Sequence, residues 1–233
     1  MATTGRTSEA VIFCRNAGIE ILMPAPLLSD LIHPATTAIV TQECQGGVIG
    51  PNAGLRQLAE EARRTAVPNI ARLLSAARDC GVNVVHCLAM RRPDGRGSNH
   101  NARLFAAAKS FGADIAPGSE GATLLPELDP HPDDLILTRW HGLGPMGGTD
   151  LDSVLRNLGV TTIVGVGVSV NVAITNFVMD AVNRGYHFVL PRDAVAGVPR
   201  EYAESVIDNT LSLLATVVTS EAVVETWAAA ART

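Results

Sequence analysis

The sequence is short of several residue types and patterns, and each shortage excludes a class of protein. Only 18 of its 233 residues are Lys or Arg against 23 Asp or Glu, so the net charge of −5 gives no electrostatic support for binding nucleic acid or an anionic membrane. No apolar run approaches the ~18 residues of a membrane span. Four cysteines occur without CxxC spacing, and no secretory signal precedes them, which favours reduced thiols in a cytoplasmic protein.

Lysine and aromatic residues are also scarce. Lys109 is the only lysine, so a catalytic lysine has a single candidate position, and aromatic residues make up 4% of the chain. Hydrophobic residues nevertheless make up 47%, which predicts a substantial core. At this length and composition, one sizeable α/β domain fits better than two small domains.

The stretch GVGVSVNVA and its flanks form the most regular part of the sequence. A β-branched run at residues 161–164 predicts a strand buried on both faces, and Gly165 and Gly167 predict that the backbone turns after it. Apolar residues then recur at helical spacing over residues 170–184, and residues 186–190 return to strand. Such a βαβ unit directs the first N–H groups of its helix into a crevice.

Strands and helices alternate along the rest of the chain. Further strands are predicted at residues 37–42, 82–88, 135–137 and 217–219, and helices at residues 55–64, 69–79, 99–111, 149–157 and 200–216 and from residue 220 onwards. This alternation predicts a three-layer α/β/α domain over residues 36–233 with a mostly parallel sheet of about six strands. The preceding arm, residues 1–35, either packs on a neighbouring subunit or is disordered at its tip, and a homo-oligomer (dimer or tetramer) is expected.

In such sheets the ligand binds beyond the carboxyl ends of the strands. Four groups of residues are expected there: Glu43, residues 86–92, residues 139–141 and residues 169–173. A carboxylate, a guanidinium and helix-terminal N–H groups therefore converge from distant parts of the sequence. We predict that this edge of the sheet binds a small-molecule substrate.

Four segments at these positions carry a recognisable pattern: AIVTQECQ (38–45), DLILTR (134–139), GTDL (148–151) and GVSVNVAI (167–174). The isochorismatase-like hydrolase superfamily has, at the same places, an apolar strand ending in Asp-Met-Gln, a strand ending in Lys, Gly-Thr-x-Leu and Gly-Val-x-Thr-Asn-x-Cys-Val. The chain resembles this superfamily of cysteine hydrolases, which includes nicotinamidases, N-carbamoylsarcosine amidohydrolase and isochorismatases, over residues 36–220. The resemblance implies their Rossmann-like fold.

All three residues that the resemblance would make catalytic have changed. The family triad is Asp, Lys and Cys, and this chain has Glu43, Arg139 and Ala173 at those positions. Thioester chemistry needs a thiolate, which alanine cannot supply.

Other residues are poor replacements for the missing triad members. Cys44 follows Glu43 on a strand, so its thiol is expected to point to the opposite face of the sheet. The orientation of Cys87 on its strand stays open. Lys109 is expected within a helix, away from the strand ends.

The two longer substitutes are predicted to form an ion pair across the space that a thiol would fill. An Arg139–Glu43 pair can be bidentate. Arg139 is expected to lower the pKa of Glu43, which favours a base that activates water. Isochorismatases proper also lack the cysteine and by resemblance hydrolyse a vinyl ether with the acidic residue as proton donor, a role that would require a raised pKa. A buried structural strut is the alternative.

Neighbouring residues are predicted to complete the site. Ser169, Asn171 and the amides near Ala173 are expected to form an oxyanion hole, with helix capping as the alternative. His141 and Trp140 are predicted to contact the substrate.

The polar loop that begins at Arg91 has two interpretations. By default Arg91, Arg92 and Arg96 form a solvated loop face. The functional interpretation is that one of these arginines, with Arg91 as the candidate, grips a substrate carboxylate. His86, inside an apolar run, fits a hydrogen-bonded core histidine better than a ligand. Residues 90–94 lack the Asp and two His of a nicotinamidase-type metal site, so no metal and no cofactor are expected.

Two functions from different classes follow. The leading hypothesis is a hydrolase acting on an amide, carbamoyl or vinyl-ether compound by water activation, without a cysteine nucleophile. The alternative is a catalytically inactive family member that binds a small molecule or supports oligomer assembly.

Overall fold

The structure, a computed structural model, describes residues 11–14, 19–22, 26–108 and 113–232. Its strands are β1 (Val11–Cys14), β2 (Ile19–Leu22), β3 (Thr37–Gln42), β4 (Asn83–Ala89), β5 (Leu135–Arg139), β6 (Thr162–Val168), β7 (His187–Pro191), β8 (Val195–Ala196) and β9 (Thr216–Val218). Its helices are α1 (Leu28–Leu31), α2 (Gly46–Ile49), α3 (Arg56–Glu61), α4 (Val67–Asp79), α5 (Arg103–Ala108), α6 (Leu151–Asn157), α7 (Thr175–Asn183), α8 (Arg200–Asn209) and α9 (Ser220–Ala230).

Seven strands form one parallel sheet in the order β5-β4-β3-β6-β7-β9, with β8 beside β6. The central strands β3 and β6 are buried along their whole length, as expected of apolar strands covered on both faces. The predicted three-layer α/β/α architecture is confirmed, with about one strand more than expected. β1 and β2 form a separate antiparallel pair, which the sequence did not predict.

Each face of the sheet carries its own hydrophobic cluster. On one face, α4 and α9 contribute Leu73 and Trp227 to a cluster with Ile39 of β3. On the other face, α7 contributes Phe177, whose ring meets that of Phe188 edge to face at 5.0 Å. These two layers fix the sheet and leave the carboxyl ends of its strands along one common edge.

The predicted turn after residue 164 is wrong, because β6 continues through both glycines to Val168. Close packing explains the two glycines better than a turn does. A Cβ on Gly165 would lie 2.1 Å from the Phe188 ring, and one on Gly167, whose φ is 114°, would lie 2.2 Å from the Gln42 carbonyl oxygen. The glycines therefore let neighbouring elements approach the strand.

The two helices predicted at residues 55–64 and 69–79 are one continuous helical segment. A π-helical stretch, Ala62–Ala66, joins α3 to α4, and Pro68 is the second residue of α4. Proline has no N–H and its ring crowds the preceding turn, so a widened turn accommodates it without ending the helix. A second difference is α2, a single helical turn inside the segment predicted to be a loop.

Some expectations fall outside the described residues. The helix predicted over residues 99–111 is described as α5 only, and Lys109 lies beyond it. Residues 1–10, 15–18 and 23–25 of the arm are likewise outside the described part of the chain. Within the described part, no helix combines the length and the apolar character needed to cross a bilayer.

Candidate active site

Glu43 directly follows β3 and leaves the strand in an unusual backbone conformation. Its φ is 56°, a left-handed value that is rare for a residue other than glycine, and its N–H donates to the Cys87 carbonyl at 2.9 Å. The turn directs the carboxylate into the cavity beyond the sheet. Backbone strain of this kind costs about 1–3 kcal/mol and is concentrated at functional sites.

Arg139, the last residue of β5, forms an ion pair with this carboxylate. Its Nη2 donates to Glu43 Oε1, and the guanidinium also donates to the carbonyls of Gly142 at 3.2 Å and Leu143 at 3.3 Å. The predicted pairing is therefore present, but it is not bidentate, because only Nη2 contacts the carboxylate while Nη1 contacts the Gly142 carbonyl. Since β4 lies between β3 and β5, the pair bridges over the end of β4.

The pKa of Glu43 is raised above its ordinary value, and burial is the main cause. The positive charge of Arg139 lowers it but does not cancel the cost of desolvating the carboxylate. The expectation that Arg139 would leave Glu43 with a lowered pKa is therefore wrong. A raised pKa meets the condition stated above for a proton donor, and the ionised form of such a carboxyl group is also a stronger base, so this shift is compatible with both roles.

Neither nearby thiol is available as a nucleophile. Cys44 is fully buried in the cluster beneath α4, with its Sγ 3.7 Å from the Gln42 carbonyl oxygen, so the predicted orientation away from the site is confirmed. Cys87 is buried in the cluster on the opposite face. Burial raises the pKa of each thiol to about 12, so both are protonated near neutral pH.

Ala173 lies where β6 passes into the next helix, within the π-helical stretch Val170–Ile174 that precedes α7. The Val168–Ser169 peptide before it is cis. The Ser169 carbonyl accepts the N–H groups of Val172 and Ile174, at 3.2 and 3.0 Å. Ser169 and Ala173 both line the cavity beside Glu43, as the sequence predicted.

Asn171 is placed differently from its prediction. Its Nδ2 donates to the Val198 carbonyl at 2.9 Å, and its side chain packs against Gly197, where a Cβ would lie 2.6 Å from Oδ1. Asn171 does not belong to the cavity lining, so the expectation of substrate contact is corrected. The helical spacing explains this, since Asn171 and Ala173 cannot face the same side of one turn.

The cavity has a volume of about 680 Å³ and lies at the carboxyl ends of β3, β4, β5 and β6. Trp140 and His141, predicted to contact the substrate, line its wall, and the His141 ring covers Gly148. Arg91 also lines it, but its Nη2 donates to the Ala113 carbonyl at 3.1 Å. Contact of these three residues with a substrate stays a prediction.

His86 belongs to the core, as its sequence context favoured. Its two ring nitrogens lie 2.9 Å from Thr41 Oγ1 and 3.1 Å from Asp134 Oδ2. Asp134 also accepts from Arg78 at 2.7 Å. Burial lowers the pKa of His86, against the opposing effect of Asp134. This network joins β3, β4, α4 and the residue before β5, and none of its side chains lines the cavity at the strand ends.

Two polar residues that organise the site were not predicted from the sequence. Gln45, fully buried, donates to the carbonyls of Ala89 and Gly121 and accepts the Ala89 N–H at 2.7 Å. Asn99 Oδ1 accepts the Gly142 N–H at 2.7 Å, which ties the loop after β4 to the loop that holds Arg139. The Gln in the strand-end motif was a signal for the first; no pattern marked the second.

The described residues contain no group of three or more His, Cys, Asp or Glu side chains placed to hold a metal ion.

Comparisons with known proteins place this geometry in context. The sequence profile of the isochorismatase domain matches residues 37–222. The ureidoacrylate amidohydrolase RutB of Methylobacterium radiotolerans is 27% identical over 194 residues, which are 77% of this chain and 74% of that protein. A cysteine hydrolase structure from Pseudomonas syringae pv. phaseolicola superimposes with a TM-score of 0.73 at 25% identity, covering 89% of this chain and all of that one.

A further solved structure supports the fold alone. The N-carbamoylsarcosine amidase from Thermoplasma acidophilum superimposes with a TM-score of 0.65 at 23% identity, covering 80% of this chain and 97% of that chain.

Proposed function

The chain belongs to the isochorismatase family, and from that premise we propose that it hydrolyses a small amide or carbamoyl compound without a cysteine nucleophile. The relatives named as amidohydrolases support the amide class. The observation that carries the proposal is the pairing of Glu43 with Arg139 beside Ala173, where a carboxylate faces the cavity and none of the described thiols, Cys44, Cys80 and Cys87, does.

In the proposed mechanism Glu43 acts as the base. Oε1 is engaged by Arg139, so Oε2 takes a proton from a water molecule in the cavity, and that water oxygen attacks the carbonyl carbon of the substrate. The carbonyl π electrons move to its oxygen, and the negative charge is stabilised by the amide of Ala173 at the start of the helix. The C–N bond then breaks, and Glu43 returns the proton to the leaving nitrogen.

Arg139 has two roles in this scheme. It holds Glu43 in one orientation. Its hydrogen bonds to the Gly142 and Leu143 carbonyls also fix the loop that forms this wall of the cavity. A fixed base is effective because the reacting atoms need not be reoriented during the reaction.

The test is an activity screen over small amides, carbamoyl compounds and isochorismate, followed by two perturbations. We expect Glu43→Gln to lose hydrolysis, because the amide cannot accept the proton, while Glu60→Gln, an exposed site on α3, keeps it. Iodoacetamide is expected to leave activity intact, because the thiols near the site are buried.

Three outcomes contradict the proposal. Loss of activity on alkylation would restore a thiol mechanism. Hydrolysis of isochorismate alone would make Glu43 a proton donor to carbon. Absence of all hydrolysis would support the catalytically inactive binding or assembly protein.

A further inference from the structure

The cavity combines two features that the hydrolytic step itself does not use. Its wall is largely apolar, and large exposed apolar side chains gather there: Leu55, Leu104, Trp140 and Leu143 are each 37–41% exposed and all line the cavity. Exposed apolar side chains grouped around a concave site indicate a ligand that covers them. A cavity of about 680 Å³ also lies within the range of ~300–1,000 Å³ that accommodates ligands of drug-like size.

The second feature is charge. Four arginines but only two carboxylates line the cavity, although the chain as a whole carries a net charge of −5. Arg139 pairs with Glu43, Arg92 pairs with Asp94 at 2.7 Å, and Arg91 donates to the Ala113 carbonyl at 3.1 Å. The cavity therefore has the opposite charge to the molecule around it, which concentrates anions there.

Arg96 is the residue best placed to meet an anion. Its backbone N–H donates to Asp94 Oδ1 at 3.0 Å, and Arg92 takes up both oxygens of that carboxylate. Among the described residues no carboxylate is paired with the Arg96 guanidinium, which is exposed on the loop at the mouth of the cavity. Guanidinium groups bind carboxylates through two parallel hydrogen bonds.

We propose that the substrate is an organic anion with a sizeable apolar body, whose apolar part packs on Leu104 and Trp140 and whose carboxylate binds Arg96 at the cavity mouth. The buried floor at Glu43 and Ala173 then receives the amide or carbamoyl end. The identity of the reacting end of the substrate rests on the proposed function. The binding of an apolar anion does not depend on it.

Binding can be measured without catalysis by using inert ligands. Trp140 and Trp227 are the only tryptophans, and Trp227 is fully buried in the core away from the cavity, so a ligand-induced change in fluorescence reports on Trp140. Three probes separate the two features: 3-phenylpropanoate has both, propanoate only the charge, and 3-phenylpropanol only the apolar body. We expect 3-phenylpropanoate to bind at least about tenfold more tightly than either of the others.

Single substitutions test which side chain contacts each part of the ligand. Arg96→Gln should weaken 3-phenylpropanoate by about tenfold and leave 3-phenylpropanol unchanged, and Leu104→Asn should weaken both phenyl ligands but not propanoate. Arg200→Gln, on the exposed surface of α8, is the matched control and should change nothing. Circular dichroism melts of each variant confirm that it is folded.

Failure of this inference differs from failure of the proposed function. Equal binding of 3-phenylpropanol and 3-phenylpropanoate would overturn the anion assignment, and equal binding of propanoate would overturn the apolar one. Lack of binding by all three would overturn both. The predicted order of binding in a protein that hydrolyses no amide would leave the inference standing and reject the hydrolase.

Discussion

Glu43 experiences two opposing effects on its ionisation, and their balance sets the pH at which it can act. Burial favours the neutral acid, and Arg139 favours the carboxylate, with burial the larger. A base must be ionised to work, so the rate is lost as the pH falls through its pKa. Because that pKa is raised, the loss begins at a higher pH than for a free glutamate, whose pKa is about 4.3.

The pH profile of kcat/KM tests this balance. We expect its acid limb to lie above pH ~4.3, the free glutamate value, and Arg139→Gln to move the limb higher still, because the variant removes the cation that opposes the effect of burial. Arg200→Gln should leave the limb in place. An acid limb that moves to lower pH in Arg139→Gln would show that Arg139 does not stabilise the Glu43 carboxylate.

Arg139→Lys restores the residue usual in the family but should lower kcat by about tenfold or more. A lysine keeps the charge but cannot contact Glu43 and the carbonyls of Gly142 and Leu143 at the same time. Neither Glu43 nor the loop at residues 142–143 would then be held in its present position. Steady-state kinetics measure the change. A variant as fast as the parent would show that the loop contacts of Arg139 are dispensable.

At the level of elements, the junction of β6 with α7 brings Ala173, the position that the family resemblance assigns to a nucleophile, to the wall of the cavity. Ala173 lines the cavity at the start of the helical segment, where backbone N–H groups and the helix dipole stabilise negative charge. A thiol introduced there would experience the helix and Arg139, which lower its pKa, and Glu43, which raises it.

The thiol of an Ala173→Cys variant should therefore react with iodoacetamide faster than Cys80, a partly exposed thiol whose pKa is raised. Mass spectrometry of the alkylated peptides gives both rates in one sample, and the buried Cys44 and Cys87 add little background. Native hydrolysis should fall, because the thiol occupies the space of the attacking water. If the introduced thiol alkylates no faster than Cys80, the cavity does not reach this position.

Elements were predictable from the sequence where local pattern decides them. The parallel strands and the helix over residues 170–184 follow from apolar periodicity, and Gly185, with φ of 87°, ends that helix. The continuity of α3 with α4 was not predictable, since Pro68 usually marks a helix start and a π-turn leaves no pattern. The packing of Gly165 against Phe188 depends on a residue 23 positions away, which local reasoning does not reach.

In the site, too, some features follow from local sequence pattern and others depend on the whole fold. The positions of Glu43, Arg139 and Ala173 followed from strand-end motifs, because parallel strands bring their carboxyl ends to one edge. The net pKa of Glu43 did not, since burial depends on the whole fold. Asn99, which contacts Gly142 across the cavity, belongs to a loop without periodicity, so this contact can be identified only from the structure.

For the whole molecule, the buried His86 network links the edge strand β5 to the rest of the sheet. Burial lowers the pKa of His86, so the unfolded chain binds more protons than the folded chain as the pH falls below about 6.5, and the free energy of unfolding decreases there.

His86→Ala should reduce the free energy of unfolding by about 2–3 kcal/mol, because Thr41 and Asp134 lose a buried partner. It should also flatten the loss of stability below pH ~6.5, the ordinary histidine value. Urea unfolding at several pH values measures both, with His187→Gln, at an exposed site on β7, as control. A variant as stable as the parent, with the same pH dependence, would show that the network does not hold β5.

Because the backbone at Glu43 is left-handed, selection for stability and selection for activity should favour different residues at this position. Glycine and asparagine adopt this conformation more readily than glutamate, so a library sorted only for heat resistance should become enriched in them at position 43. A library sorted for turnover should keep glutamate there. The difference between the two libraries in residue frequencies at position 43 would measure how much thermal stability the protein loses by keeping a carboxylate at the edge of its sheet.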